Sequence, residues 1–327
     1  MNSVAHEGKT KPEQVEMARP EATTRTPRQK VVIDPRQRGV SIQGPTLVLV
    51  RRATANRPVQ VSGTFLLLIV IIAILAPVIS PYDPIQMNPP ARLRPPGAGY
   101  LLGTDEFGRD VLSRIFWGTR ISLAVGAAAV ALAMAGGVSL GLLAGYLGGL
   151  VDPLIMRLMD VILCFPPILL GITMVGFAGH SLVNLVLVLG LLFVPRFTRV
   201  IYGTVQSVKQ NQYVEAARAI GCGHFFIMRK HILPHIFSII IIQITLNFGF
   251  MILLEAGLSF LGLGTLPPTP SWGTMIASAR DYMEIAPLLV VWPSLAVALT
   301  VLAFNLLGDG LRDALDPRLI GEINSAE

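Results

Sequence analysis

Six stretches of about 20 consecutive apolar residues decide what this chain can fold into. They run from Ser62 to Ser80, Ile121 to Tyr146, Pro153 to Phe177, Ser181 to Tyr202, Phe237 to Gly262 and Pro287 to Gly308, each close to the length of helix that crosses a hydrocarbon core of about 30 Å. Composition agrees, because 52% of the 327 residues are apolar and 14% are charged, whereas a soluble domain carries about 25% charged residues. The chain therefore reads as an all-α, polytopic membrane protein with six transmembrane helices.

The formal charge of +6 does not point to nucleic acid, because the basic residues sort by side. With the N-terminus placed in the cytoplasm, 20 of the 26 Lys and Arg residues fall inside and 6 outside, and the inner set includes Arg196 to Lys230. That is the positive-inside asymmetry. Without the long tail it shrinks to 9 against 6, so the even number of spans is the firmer reason to place both termini in the cytoplasm. Residues 1–44 are polar, lack an apolar period and read as a disordered tail. The stretch from Gly44 to Pro58 is either an interfacial segment or a basic linker. No cleavable signal is visible, since about 60 residues precede the first span. Cys164 and Cys222 are too few for a disulfide framework or a metal cage.

Within the spans, Ala129, Ala133, Gly137, Gly141 and Gly145 recur every four residues and predict a face where another helix approaches closely. The fifth span carries Gln243, Asn247, Glu255 and Ser259 at spacings of four or eight. Intramembrane polar residues usually face a bundle interior or a water-filled cavity, which makes these four candidate pathway or gate residues. For Glu255 the alternative is a place near the outer end of the span, satisfied by water or by an arginine. Gly103 to Leu123 alternates Asp105, Glu106 and Asp110 with Arg109, Arg114 and Arg120. This predicts either a self-paired helical segment anchored by Trp117 or a partner contact.

Three catalytic or metal motifs fail on context. Gly137 to Gly141 has the G-x-S-x-G spacing, but it lies inside an apolar helix instead of a strand-to-helix turn. Gly8 to Thr10 matches the end of a phosphate loop but lacks the leading glycine, since Ser3 stands there. His231 and His235, with His224 nearby, lack the zinc-protease glutamate, and Pro234 disturbs their register. The expectation is therefore no catalytic residue, no metal and no directly bound cofactor.

Residues 203–236 form a polar loop between the fourth and fifth spans. Asn211 is a candidate helix cap and Gly221 a stop. Tyr213, Ala216, Ala217 and Ile220 recur at helical spacing and predict a small apolar face. Ala216 and Ala217 would then approach a partner groove, with Glu215 and Arg218 at its rim. Pro234 is expected to mark re-entry into the fifth span.

Glu215-Ala216-Ala217, Gly221 four residues later and then Leu233-Pro234 resemble the loop of the membrane subunits of binding-protein-dependent ABC importers. Ser80 to Pro84, Leu102 to Leu123, Leu258 to Gly264, Pro270 to Gly273 and Asn305 to Leu319 are similar to the second permease of dipeptide, oligopeptide and nickel importers. The resemblance covers roughly residues 60 to 320. It implies the type I importer permease fold over residues 61–320, between a 1–60 tail and a 321–327 tail. It also implies a coupling helix in the loop, a homologous second permease, two cytoplasmic ATPase subunits that use ATP and Mg, and an outer substrate-binding protein. Peptides are the expected cargo, with nickel chelates, glutathione or opines as alternatives. A secondary transporter or channel, or a membrane-embedded enzyme, are the readings of another class.

Overall fold

The computed structural model describes residues 56–315. The N-terminal tail with its Gly8–Thr10 motif, most of the Gly44–Pro58 stretch and the 321–327 tail lie outside the described residues. The elements are α1 (Arg57–Ile79), α2 (Val111–Leu147), α3 (Val151–Leu163), α4 (Pro167–Ala178), α5 (Leu182–Val208), α6 (Gln212–Ala219), α7 (His224–Ile227), α8 (Leu233–Phe260), α9 (Trp272–Ala279) and α10 (Leu288–Leu315). Among the described residues there is no strand, only two isolated bridges near Gly97 and Thr104. In lipid a backbone that cannot bond to water must bond to itself, and a helix does so within one segment.

Five of these helices, counting His224–Phe260 as one rod, are long and apolar enough to cross a membrane. The third expected span, Pro153 to Phe177, is not one straight helix. It is split into α3 and α4, bent by 90° at the break. Pro166 and Pro167 lack N–H donors, and Pro166 takes extended backbone angles, so the helical ladder cannot run through them.

Pro234 likewise does not begin its span. The rod starts at His224, passes through a π-helical turn at Met228–Ile232 and continues as α8. The wider turn sits immediately before the proline and accommodates a position that cannot donate a helical hydrogen bond.

The core joins α2, α4, α5 and α8 through Ala129, Val175, Leu189, Phe197, Met251 and Leu258. Its tightest seam is α2 on α5. Ala133 is fully buried, and a Cβ on Gly137, Gly141 or Gly145 would lie 2.3 Å from Phe197 Cβ, 2.7 Å from the Thr198 carbonyl oxygen and 2.8 Å from Val205 Cβ, respectively. Gly141→Leu is therefore expected to lose the folded chain. Ordinary overpacking costs ~1–3 kcal/mol, and here the first obstacle is a backbone carbonyl that no rotamer can move aside. Size-exclusion of the detergent-solubilised variant should show loss of the monodisperse peak, and a native profile would contradict this packing.

Candidate functional site

At one end of the bundle the chain forms a compact hairpin between α5 and α8. Asn211 accepts from the Val214 and Glu215 N–H groups through its carbonyl (2.9 and 3.3 Å), but its side chain makes no capping bond. The far end of α6 closes with Gly221 at φ +83°. The Gly221 N–H donates to the Arg218 carbonyl and the Cys222 N–H to the Ala217 carbonyl, both at 3.0 Å. This is the paired closure that a left-handed glycine permits.

The buried side of α6 is Val214 and Ala217, packed with Val205, Ile227, Met228 and Ile232. Ala217 thus faces the chain's own core, which corrects its expected place on a docking face. In an eight-residue helix spacing defines a stripe without saying which side of it is packed. Glu215, Ala216 and Arg218 point outward, as does Ile220 at 80% exposure. Just beyond Gly221, Phe225 and Phe226 are also exposed. Sequence reasoning missed these two aromatics, although apolar side chains on a loop outside the spans are themselves a signal of a partner surface. Leu233 is half-buried and Pro234 exposed.

The hairpin is tied to the end of α2. Tyr146 is buried, its hydroxyl is 3.2 Å from His224 Nδ1, and the Arg218 guanidinium carbon lies 5.0 Å over its ring. Lys209 Nζ donates to the Gly145 carbonyl at 2.8 Å. His231 and His235 lie against the Tyr213 ring, so the three loop histidines do not converge. Among the described residues no group of three or more His, Cys, Asp or Glu side chains is placed to hold a metal ion.

The four polar residues of the fifth span separate into two pairs. Asn247 Nδ2 donates to the Gln243 carbonyl and Oε1 at 2.7 and 3.0 Å. Glu255 and Ser259 are buried to 0% and 1% exposure, and the Ser259 hydroxyl donates to Glu255 Oε1 at 2.8 Å. The hydroxyls of Ser122 and Ser271 lie beside the same carboxyl. Ser122 accepts from the Trp272 N–H at 3.3 Å, and Ser271 caps α9. The Gly264 and Gly273 backbones press so closely on Ser259 that a Cβ on either would come within 2.5 Å of a Ser259 side-chain atom.

Glu255 thus lies five residues before the end of α8, near the end of its span as the alternative has it, but it is enclosed in a knot of serine hydroxyls, which corrects the water-lined gate and the arginine partner. Ser259 belongs to the same knot. Glu255→Gln keeps the shape and an acceptor, and should leave uptake within about threefold of native. Glu255→Leu strands the Ser259 hydroxyl at ~1–3 kcal/mol and should lower the yield of folded protein. A collapse of uptake with Gln at native yield would restore the gate assignment.

A polar lane that sequence reasoning passed over runs along α3 and α5. The Tyr202 hydroxyl donates to Asp152 at 2.8 Å, and Arg199 pairs with Asp160 at 2.5 Å. One turn before Arg199, Arg196 stands over two aromatic rings. The signal is present as charges inside the third and fourth apolar runs, but sorting basic residues by side places Arg196 with the inner set.

At the opposite end, residues 103–110 are a loop, not the expected helix, and α2 begins only at Val111. Asp105 Oδ1 accepts from the Phe107 and Arg109 N–H groups, both at 2.9 Å, a local alternative to helical bonding. Gly108 sits at φ +74°. The charges do pair among themselves. Asp105 Oδ2 meets Arg109 Nε at 2.6 Å and Arg114 Nε at 3.3 Å, and Arg109 also reaches Glu106 at 3.1 Å. Burial, and then the Asp105 charge, push the Glu106 carboxyl above the ordinary range. Asp110 caps α2 by accepting from the Ser113 N–H. Trp117 does not stand alone as an anchor, because Arg120 lies 5.8 Å over its ring. A cleft of about 330 Å³ between this knot and residues 267–282 is lined by Glu106, Arg114, Thr274 and Asp281.

Helices long and apolar enough to cross a membrane, a polar hairpin tied to their ends and a buried charge knot opposite it define a multi-pass membrane protein. Residues 137–321 match the family described as the binding-protein-dependent transport system inner membrane component, and residues 47–96 match the N-terminal transmembrane domain of oligopeptide transport permease C. The chain belongs to the binding-protein-dependent inner membrane permease family. It is 44% identical over 283 residues to a glutathione transport system permease protein of Pectobacterium atrosepticum, covering 86% of this chain and 94% of the relative. It is 46% identical over 261 residues to a di/tripeptide transport system permease protein of Pseudomonas aeruginosa, covering 78% and 86%. With a dipeptide transport system permease protein of Haemophilus influenzae it shares 44% over 270 residues, 81% and 92%. It is accordingly the permease subunit of an ABC importer in the inner membrane, a transport component that works with ATPase and binding-protein partners and is not an enzyme.

Proposed function

We propose that this chain forms half of the membrane channel of a peptide importer, carrying di- and oligopeptides handed over by an outer binding protein, with glutathione as a cargo of the same chemistry. Relatives named for dipeptides, di/tripeptides and glutathione support this reading, because each cargo is a short chain with a free amine and a free carboxylate. A homologous second permease supplies the other half. Both termini lie in the cytoplasm, so the α6 end faces the ATPases and the α9 end faces the binding protein.

The observation that carries the mechanism is the α6 hairpin, with Ile220 exposed beyond the end of α6, Phe225 and Phe226 exposed on the first turn of the α7–α8 rod and its base tied to α2 through Tyr146. Docked on an ATPase, α6 moves with it. Gly221 lies three residues before α7, and the α7–α8 rod runs without a break to Phe260, so displacement at the ATPase reaches the Glu255 knot at the far end. Partner subunits bind ATP and Mg, and their closure shifts the permease between inward- and outward-open states through differential affinity.

Complementation of a deletion strain tests the cargo. The native chain should restore uptake of labelled dipeptide, and unlabelled glutathione should compete. Restoration of nickel or opine uptake alone would move the cargo to those molecules.

A further inference from the structure

Arg196 occupies an unusual depth. It lies fourteen residues past Leu182, the first residue of α5, or about 21 Å of helix at 1.5 Å per residue. Its guanidinium carbon is 4.7 Å from the Phe250 ring centroid, and Phe250 precedes the end of α8 at Phe260 by ten residues, about 15 Å. Both rulers place the charge near the middle of a core about 30 Å thick. Helical side chains lean toward the N-terminus of their helix. For α5 that is away from the nearer, α6-side headgroups.

The side chain is exposed on the chain's surface, and among the described residues no carboxylate lies within ion-pair distance of it. Asp160 is engaged by Arg199. A charge at this depth does not face lipid; it faces water or another protein group. Phe250 at 4.7 Å and Phe193 at 5.5 Å flank the guanidinium without taking up its N–H groups, the fork that reads a carboxylate bidentately. Gln243 lies seven residues, two turns, from Phe250 on the same face of α8. It holds Asn247 by hydrogen bonds and adds amide groups suited to a peptide backbone.

We infer that Arg196 is a cargo-binding residue of the translocation pathway, taking carboxylates of the passing peptide and favouring anionic cargo. This rests on the peptide-import reading. The test is uptake by the complete transporter in proteoliposomes, at saturating binding protein, of three tripeptides alike except for an acidic, neutral or basic central residue. Arg196→Gln should lower uptake of the acidic peptide about tenfold relative to the neutral one, roughly the worth of one charge-assisted hydrogen bond. Arg196→Lys should retain most of the preference, and Arg196→Glu should reverse it in favour of the basic peptide. Equal losses for all three peptides, or a complex that falls apart on size-exclusion, would assign Arg196 to a carboxylate of the second permease and overturn the inference. If the native transporter carries none of the peptides, the peptide reading falls and this inference with it. Peptides carried by every variant with unchanged ratios overturn the inference alone.

Discussion

Gly221→Asp is expected to reduce uptake at least tenfold while leaving the chain inserted in the membrane at native levels. Space is not the obstacle, because a Cβ at Gly221 would meet nothing within 4 Å. Two other effects combine. The backbone there is left-handed, at φ +83°, a conformation that aspartate enters at less cost than the ~1–2 kcal/mol of most L-residues, so this is the smaller effect. The added carboxylate also lies beside exposed Ile220, where docking on the ATPase would strip it of water, and an unpaired buried charge costs several kcal/mol. Gly221→Asn isolates the charge, since asparagine shares aspartate's tolerance of the left-handed region and brings no carboxylate. Uptake near native with Asn and absent with Asp, at equal membrane content by immunoblot, is the expected pattern. Normal uptake with Asp would remove α6 from the coupling role.

The second large effect is expected at the opposite end. Asp105→Ala leaves Arg109 and Arg114, 4% and 5% exposed, without their shared carboxylate. Breaking one partner out of a buried charge cluster costs about 3–5 kcal/mol, and here two N–H bonds to Oδ1 are lost as well. The midpoint of thermal unfolding in detergent should fall by about 10 °C, at ~2–4 °C per kcal/mol for a domain of this order. Asp105→Asn keeps an acceptor for those N–H groups and should fall about half as far. An unchanged midpoint for the alanine variant would mean that the loop is held by something other than this knot.

Five of the spans and the family loop were legible because they depend on local properties, run length for the spans and fixed spacing of Glu215, Gly221 and Pro234 for the loop. The features that escaped depend on three-dimensional placement. The break at Pro166 was written in the sequence, but an apolar run scored by length takes no account of missing N–H donors. Asp105 read as part of a charged helix because alternating signs suit one, whereas its carboxylate bonds the backbone of its own loop. Tyr146 meets His224 across 78 residues of chain, a contact that no local pattern announces. Glu255 looked like a gate because intramembrane carboxylates often are, and only the convergence of Ser122, Ser259 and Ser271 shows that it is enclosed. Arg196 falls inside the fourth apolar run, Ser181 to Tyr202, yet joins the inner set when basic residues are sorted by side, because a sum by side takes no account of depth along a helix.

The most direct measurement is ATP-driven uptake of a labelled dipeptide into proteoliposomes that hold this chain with its second permease and ATPases. Accumulation that requires both ATP and the binding protein, and that is lost with Gly221→Asp, is the predicted result. Accumulation that proceeds without ATP, driven by an ion gradient, would contradict the account.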